Sequence, residues 1–139
     1  MDTQPNFMPD RFEPGSHNAM GIIGLSQGVK WILDKGVDNL WAHEKSLMRM
    51  MIEGLSETGP LANVKYFGPQ GVKDRCGVFS IRISGFEHPL RLSELLETEF
   101  GILTRSGMHC APLAHRTFST DKLGGTTRLS FGPFLTTRD

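Results

Sequence analysis

The sequence is poor in the features that mark the most easily recognised classes of protein. Its 139 residues hold two cysteines, Cys76 and Cys110, too few for a disulfide framework and in keeping with a reducing compartment. Neither sign of charge dominates, since 15 lysines and arginines balance 15 aspartates and glutamates. No strong field therefore draws the chain to nucleic acid or to an anionic membrane. No apolar run approaches the length that spans a bilayer. Met1 to Glu13 is polar and proline-bearing, unlike a signal peptide or an arginine-rich transit peptide. The Walker-type phosphate loop and the HExxH metalloprotease pattern are missing. Glycines 21, 24 and 28 make no dinucleotide fingerprint, because no strand signal precedes them. What remains is a soluble cytoplasmic chain with no nucleic-acid or membrane partner, built as one domain or a small domain with an appendage.

What is present changes character along the chain. Residues 1–14, with Pro5, Pro9 and Pro14, read as an extended arm. Gly15-Ser16-His17-Asn18 then supplies a turn, and Ile22, Leu25, Val29 and Ile32 follow at helical spacing with Ser16 or Asn18 as N-cap. Free amides at such a start, with a serine hydroxyl beside them, suit a phosphate or carboxylate, although most helix starts bind nothing. The three glycines fit close approach to a neighbour. Gly36 stops this helix and Asp38 caps the next, on which Leu40, Leu47, Met48, Met51, Ile52 and Leu55 share a face. Met48, Met50 and Met51 fit core filling better than metal binding. Residues 15–58 thus form a helical segment of two long helices.

After Gly59-Pro60 the apolar period becomes two. Val64 to Phe67 is a short strand, and 77–84 a second with Phe79, Ile81 and Ile83 on one face. Cys76, at its start, reads as structural. Pro89 opens a helix whose Leu92, Leu95, Leu96 and Phe100 face the sheet, and Gly101 ends it. Ile102 to Thr104 is a third strand and Thr126 to Phe131 a fourth, where Leu129 and Phe131 face inward and Arg128 projects away. Residues 59–139 therefore form a small α+β domain, a small sheet covered by helices.

Between the last two strands lies Arg105-Ser-Gly-Met-His-Cys-Ala-Pro-Leu-Ala-His115, a loop that runs on to Gly125 and is long enough to have a role beyond connection. It sets Cys110 among Arg105, His109, His115 and Arg116, whose positive charge would increase the thiolate fraction. Cys110 is thus a candidate nucleophile or soft-atom acceptor, and composition alone leaves a small apolar filler equally open. Zinc is disfavoured, because adjacent ligands on an irregular loop lack the usual paired spacing. A Cys-His hydrolase lacks an orienting Asp or Asn. Arg128 is either a solvated strand residue or a planar carboxylate clamp.

Four stretches match one family in order. Residues 11–28, Arg-Phe-Glu-Pro-Gly-Ser-His-Asn-Ala-Met-Gly-Ile-Ile-Gly-Leu-Ser-Gln-Gly, resemble the segment that follows the cofactor lysine in class V aminotransferases, especially cysteine desulfurases and selenocysteine lyases. Tyr66-Phe67-Gly68-Pro69 resembles the opening of their C-terminal small domain, and Arg105-x-Gly-x-His-Cys110-Ala resembles their active-cysteine loop. Gly125-Thr-Thr-Arg128-Leu-Ser-Phe-Gly-Pro-Phe-Leu-Thr136 resembles the arginine strand that binds the substrate carboxylate.

The resemblance implies the C-terminal portion of a fold type I enzyme dependent on pyridoxal 5'-phosphate, which moves sulfur from L-cysteine to an active-site cysteine as persulfide and releases alanine. Cys110 would accept the sulfur, Arg128 would clamp the carboxylate and Arg105 would add a polar contact. Gly15 and Ser16 would reach the cofactor phosphate of the opposite subunit, and no metal is implied. A homodimer or a large-domain partner, and a sulfur-acceptor protein, are the expected associates. Members of the family have a longer N-terminal domain carrying the cofactor lysine, and none of Lys30, Lys35, Lys45, Lys65, Lys73 and Lys122 matches that motif. Ser16 stands for threonine and Leu135 for asparagine. The expectation is a fragment inactive alone, or else a non-catalytic remnant serving as a binding module or persulfide carrier.

Overall fold

A computed structural model describes residues 4–13, 15–56, 61 and 63–138. The turn expected at Gly59-Pro60, and with it the expected boundary between residues 58 and 59, lies outside them, as does Pro14. The chain divides into two compact units, Met1–Asn39 and Leu40–Asp139.

The first unit holds a 3-10 turn, Asp10–Phe12, inside the segment expected to be extended. It also holds helix α1, Ala19–Lys35. Asn18 is the N-cap and its side chain accepts from the Gly21 amide at 2.9 Å, while Gly36, at φ 81°, gives its amide to the Ile32 and Leu33 carbonyls. These caps satisfy groups that a helix end otherwise leaves to water. Helix α1 buries none of its residues, and a Cβ added at Gly24 or Gly28 meets nothing within 4 Å. The close approach expected of these glycines is not made within this unit.

Helix α2, Val37–Gly54, starts one residue before the expected cap, so Asp38 sits in its first turn, where its charge favours the helix dipole. In the second unit Leu47 and Met48 of α2 are buried together with Leu55, Phe79, Ile81 and Leu92. Strands β1 (Val64–Phe67), β2 (Val78–Ile83), β3 (Arg105–Gly107) and β4 (Thr126–Ser130) form an antiparallel sheet in the order β1-β2-β4-β3. Helix α3 (Pro89–Phe100) begins with proline at its first position and ends at left-handed Gly101, as its sequence signals require.

Three expectations need correction here. Residues 102–104 are not the third strand, because the Ile102 amide completes the α3 cap on the Leu96 carbonyl and pairing begins only at Arg105, opposite Arg128. Leu95 and Phe100 do not face the sheet: they are 38% and 67% exposed, and α3 turns Leu92 and Ser93 inward instead. Cys76 precedes β2 and is exposed, so it fills no core position.

The sheet has two chemically distinct faces. Register pairs Phe79 with Leu129 and Ile81 with Tyr66 and Thr127, and this face takes α2 and α3. The Arg75 guanidinium lies 4.0 Å above the Phe79 ring and donates to the Phe67 carbonyl at 3.1 Å. The α3 start is tied to β3 and β4 by hydroxyls: Ser106 and Thr127 both donate to the Pro89 carbonyl, at 2.7 and 2.9 Å, and Ser93 meets Ser106. The pairing of these three hydroxyls favours one arrangement of helix on sheet. The opposite face carries Ser80, Arg128 and Arg105 in one cross-strand row.

The β3–β4 pair leaves no room for a side chain at Gly125. Gly125 has φ 92°, and a Cβ there would stand 2.1 Å from the Gly107 oxygen. Gly125→Ala is expected to destabilise the fold by at least ~2 kcal/mol, whereas Gly71→Ala, with no atom within 4 Å of its Cβ position, should leave the urea midpoint unchanged. Urea denaturation of the two variants checks both.

Candidate active site

The loop after β3 is more ordered than its composition suggests. Strand β3 ends at Gly107, the Met108 carbonyl accepts from the Ala111 amide at 2.9 Å, and Pro112 opens helix α4, Pro112–Thr117. A 3-10 turn, Asp121–Leu123, follows before β4. The expected long irregular loop is thus two short helical pieces. His109 and Cys110 occupy consecutive left-handed conformations at φ 50° and 56°, which cost side-chain-bearing residues about 1–2 kcal/mol each. This turn leaves Cys110 exposed.

Helix α4 covers the outer face of the sheet. Phe118, at its end, packs edge-on against Phe67 of β1, with ring centroids 5.6 Å apart. Between helix and sheet runs a cleft of about 260 Å³ whose lining includes Ser80, His109, His115, Thr126 and Arg128. His109 and Ala111, which flank Cys110, line it, and Cys110 itself does not. Arg105 is exposed and directly opposite Arg128 on the neighbouring strand. Like charges placed so oppose each other, and an anion between them relieves the repulsion.

The imidazoles have defined partners. A carbonyl only accepts, so the His109 contact to the Arg105 oxygen at 2.9 Å places a proton on Nε2 and leaves Nδ1 as acceptor in the neutral ring. Burial pushes the His109 pKa below 6.5, the Arg105 carbonyl pulls it up, and Arg128, His115 and Arg105 push it further down. The ring is therefore neutral at pH 7 and does not lend the thiol the positive charge expected from the sequence. His115 is buried, with Nδ1 at 2.8 Å from the Thr120 hydroxyl. Among the described residues no group of three or more His, Cys, Asp or Glu could hold a metal ion.

Two polar atoms on residues that line the cleft lack partners. Arg128 Nε and Thr126 Oγ1 are buried with no hydrogen bond among the described residues, and an unpaired buried group costs about 1–3 kcal/mol. Reading the sequence missed Thr126 and Thr120. The signal for Thr126 was its position two residues before Arg128, on the same face of the strand. Gly15 and Ser16 lie exposed in the other unit, ahead of α1.

An α+β unit of this topology, with an exposed thiol whose two chain neighbours line the same cleft as a strand arginine, defines a class. The chain belongs to the class-V aminotransferase family, whose description matches it over residues 2–139. Its relatives narrow the resemblance. The probable cysteine desulfurase of Pyrococcus abyssi is 36% identical over 124 residues, covering 88% of this chain and 28% of the relative. The cysteine desulfurase of Dickeya dadantii is 38% identical over 109 residues, 78% of this chain and 24% of its own. Among solved structures, the apo cysteine desulfurase of Thermococcus onnurineus NA1 superposes with a TM-score of 0.81 at 32% identity, and CsdA of Escherichia coli with 0.75 at 25%. Each superposition covers 94% of this chain and 30% of the other. The chain therefore spans less than a third of the length of these relatives.

The depressed His109 pKa makes a pH prediction. The unfolded ring binds a proton near 6.5 and the folded ring only at lower pH, so stability is full above 6.5 and falls as pH drops from there through the folded value. Wild-type protein should lose thermal stability across that window more steeply than His109→Gln. Melting curves between neutral and acid pH, with an NMR titration of the His109 ring, check it.

Proposed function

We propose that this chain carries the sulfur-accepting thiol and the carboxylate clamp of a cysteine desulfurase. The observation that carries the reading is the buried, unpartnered Nε of Arg128, a residue that lines a cleft together with His109 and Ala111, the two neighbours of exposed Cys110. A planar guanidinium on a strand presents a fixed fork to a carboxylate. A thiol on a turn outside the cleft can meet the sulfur of an amino acid held there by its carboxylate.

In this reading Arg128 orients L-cysteine and Arg105 adds a second positive contact. The Cys110 thiolate attacks the substrate sulfur: a sulfur–sulfur bond forms, the carbon–sulfur bond breaks, and its electron pair stays with carbon, which a proton completes as alanine. Pyridoxal 5'-phosphate, when bound, supplies the electron sink for that pair. Gly15 and Ser16 fit the phosphate end of such a cofactor, because both are exposed and nothing lies within 4 Å of a Cβ at Gly15. No lysine lines the cleft of Arg128, so the aldehyde end has no anchor there. The chain alone is accordingly expected to accept sulfur and not to generate it, acting beside a large-domain partner or a second copy and passing persulfide to an acceptor protein. Its two free thiols suit the cytoplasm.

A second reading, a persulfide carrier served by another enzyme, draws on the exposure of Cys110 alone. One experiment addresses both. Purified chain is given pyridoxal phosphate and L-cysteine, with or without a complete cysteine desulfurase as sulfur source, and its peptides are weighed. Sulfur should add to the Cys110 peptide and not to that of Cys76, only when the complete enzyme is present, and Cys110→Ser should abolish it. Sulfur spread equally over the two exposed thiols would sink both readings. Sulfide release by the chain alone would show a complete site.

A further inference from the structure

We propose that Thr126 is a second carboxylate-binding residue, its hydroxyl acting with the Arg128 Nε–H to hold the carboxylate of a short amino acid in the cleft beneath α4. The inference rests on the reading of Arg128 as a carboxylate clamp and adds to it a residue and a size limit.

Thr126 is 1% exposed, yet it lines the cleft and its Oγ1 has no partner among the described residues. Two positions along β4, Arg128 lines the same cleft with its buried Nε equally unpaired. Residues i and i+2 of a strand share a face and sit roughly 7 Å apart at their Cα atoms, so the arginine and the threonine stand on one side of the sheet. The Arg128 Nε–H only donates, and the Thr126 hydroxyl can donate as well as accept. Buried polar groups are nearly always paired, and two unpaired groups that can donate, on residues lining one cleft, call for an acceptor.

The lining decides what kind of acceptor. It contains no aspartate or glutamate, and the acceptor nitrogen that His109 keeps, Nδ1, bonds to neither of the two atoms. Phe67, Val78 and Phe118 supply apolar walls, which strengthen the pull of one guanidinium on an anion. At about 260 Å³ the cleft is smaller than the roughly 300–1,000 Å³ of pockets for drug-sized ligands. A carboxylate on a short carbon chain fits this chemistry and this space.

The test follows the Arg128 Nε–H resonance in the full chain labelled with nitrogen-15, titrated with sodium acetate against sodium chloride at matched ionic strength. Acetate should shift it saturably and chloride should not. Thr126→Val should weaken acetate roughly tenfold, the loss of one charge-assisted hydrogen-bonding group, while Thr126→Ser, which keeps the hydroxyl, should bind as the native chain does. Should Thr126→Val fail to fold, Thr126→Ala takes its place and the serine variant still must bind normally. Acetate binding that Arg128→Met abolishes and the hydroxyl-free variants leave intact would overturn the role of Thr126 and keep that of Arg128. An Arg128 resonance indifferent to acetate would overturn both, leaving a notch that holds water alone.

Discussion

The site depends on the pairing of β4 between β2 and β3. That pairing opposes Phe79 to Leu129 and Ser80 to Arg128, so one side of the sheet is apolar and the other holds the guanidinium. A slip of one residue would exchange the two sides, burying Arg128 and exposing Leu129. The contact between Gly125 and the Gly107 oxygen and the hydroxyls that meet at the Pro89 carbonyl fix the register from both faces. Arg82 adds a clasp at the edge of the same region, donating to the Leu123 and Gly125 carbonyls at 3.0 and 2.9 Å and to that of Glu87 at 2.9 Å.

Above this frame the cysteine loop gives up local comfort for position. Two consecutive left-handed residues, His109 and Cys110, and two unpaired buried donors, on Thr126 and Arg128, are each unfavourable alone. Such costs persist where the surrounding structure over-determines them, and they gather at functional sites. Here three of the four residues, His109, Thr126 and Arg128, line one cleft. The neutral state of His109 also follows from the frame: the Arg105 carbonyl holds its proton on one nitrogen while burial and the neighbouring arginines oppose a second.

Helix formation and helix burial separate in this chain. Helix α1 has its N-cap, its glycine stop and an apolar pattern, all readable in sequence, yet Ile22, Leu25 and Val29 are 57%, 68% and 46% exposed. Capping is a local matter of backbone groups near the ends, whereas burial needs a partner surface. Helix α3 shows the same division. Its limits at Pro89 and Gly101 were legible, but only the sheet decided that Leu92 and Ser93, and not Leu95 and Phe100, turn inward.

By itself the sequence determined the elements whose signals are local: β1 and β2 by alternation, α3 by its proline and glycine, and the thiol-bearing turn by the chemistry of its residues. It also determined that Arg128 and Leu129 point to opposite sides, since alternation along a strand allows nothing else. The tertiary structure decided what lies across from them. Ile102 to Thr104 closes a helix instead of pairing because the partner register starts at Arg105. The residues after Cys110 become helix because Phe67 and the outer face of the sheet offer a surface for α4. His109 is neutral, and Thr126 is buried and unpaired, because packing removed water from both. Those properties come from contacts between residues far apart in the chain, and no stretch of sequence read alone contains them.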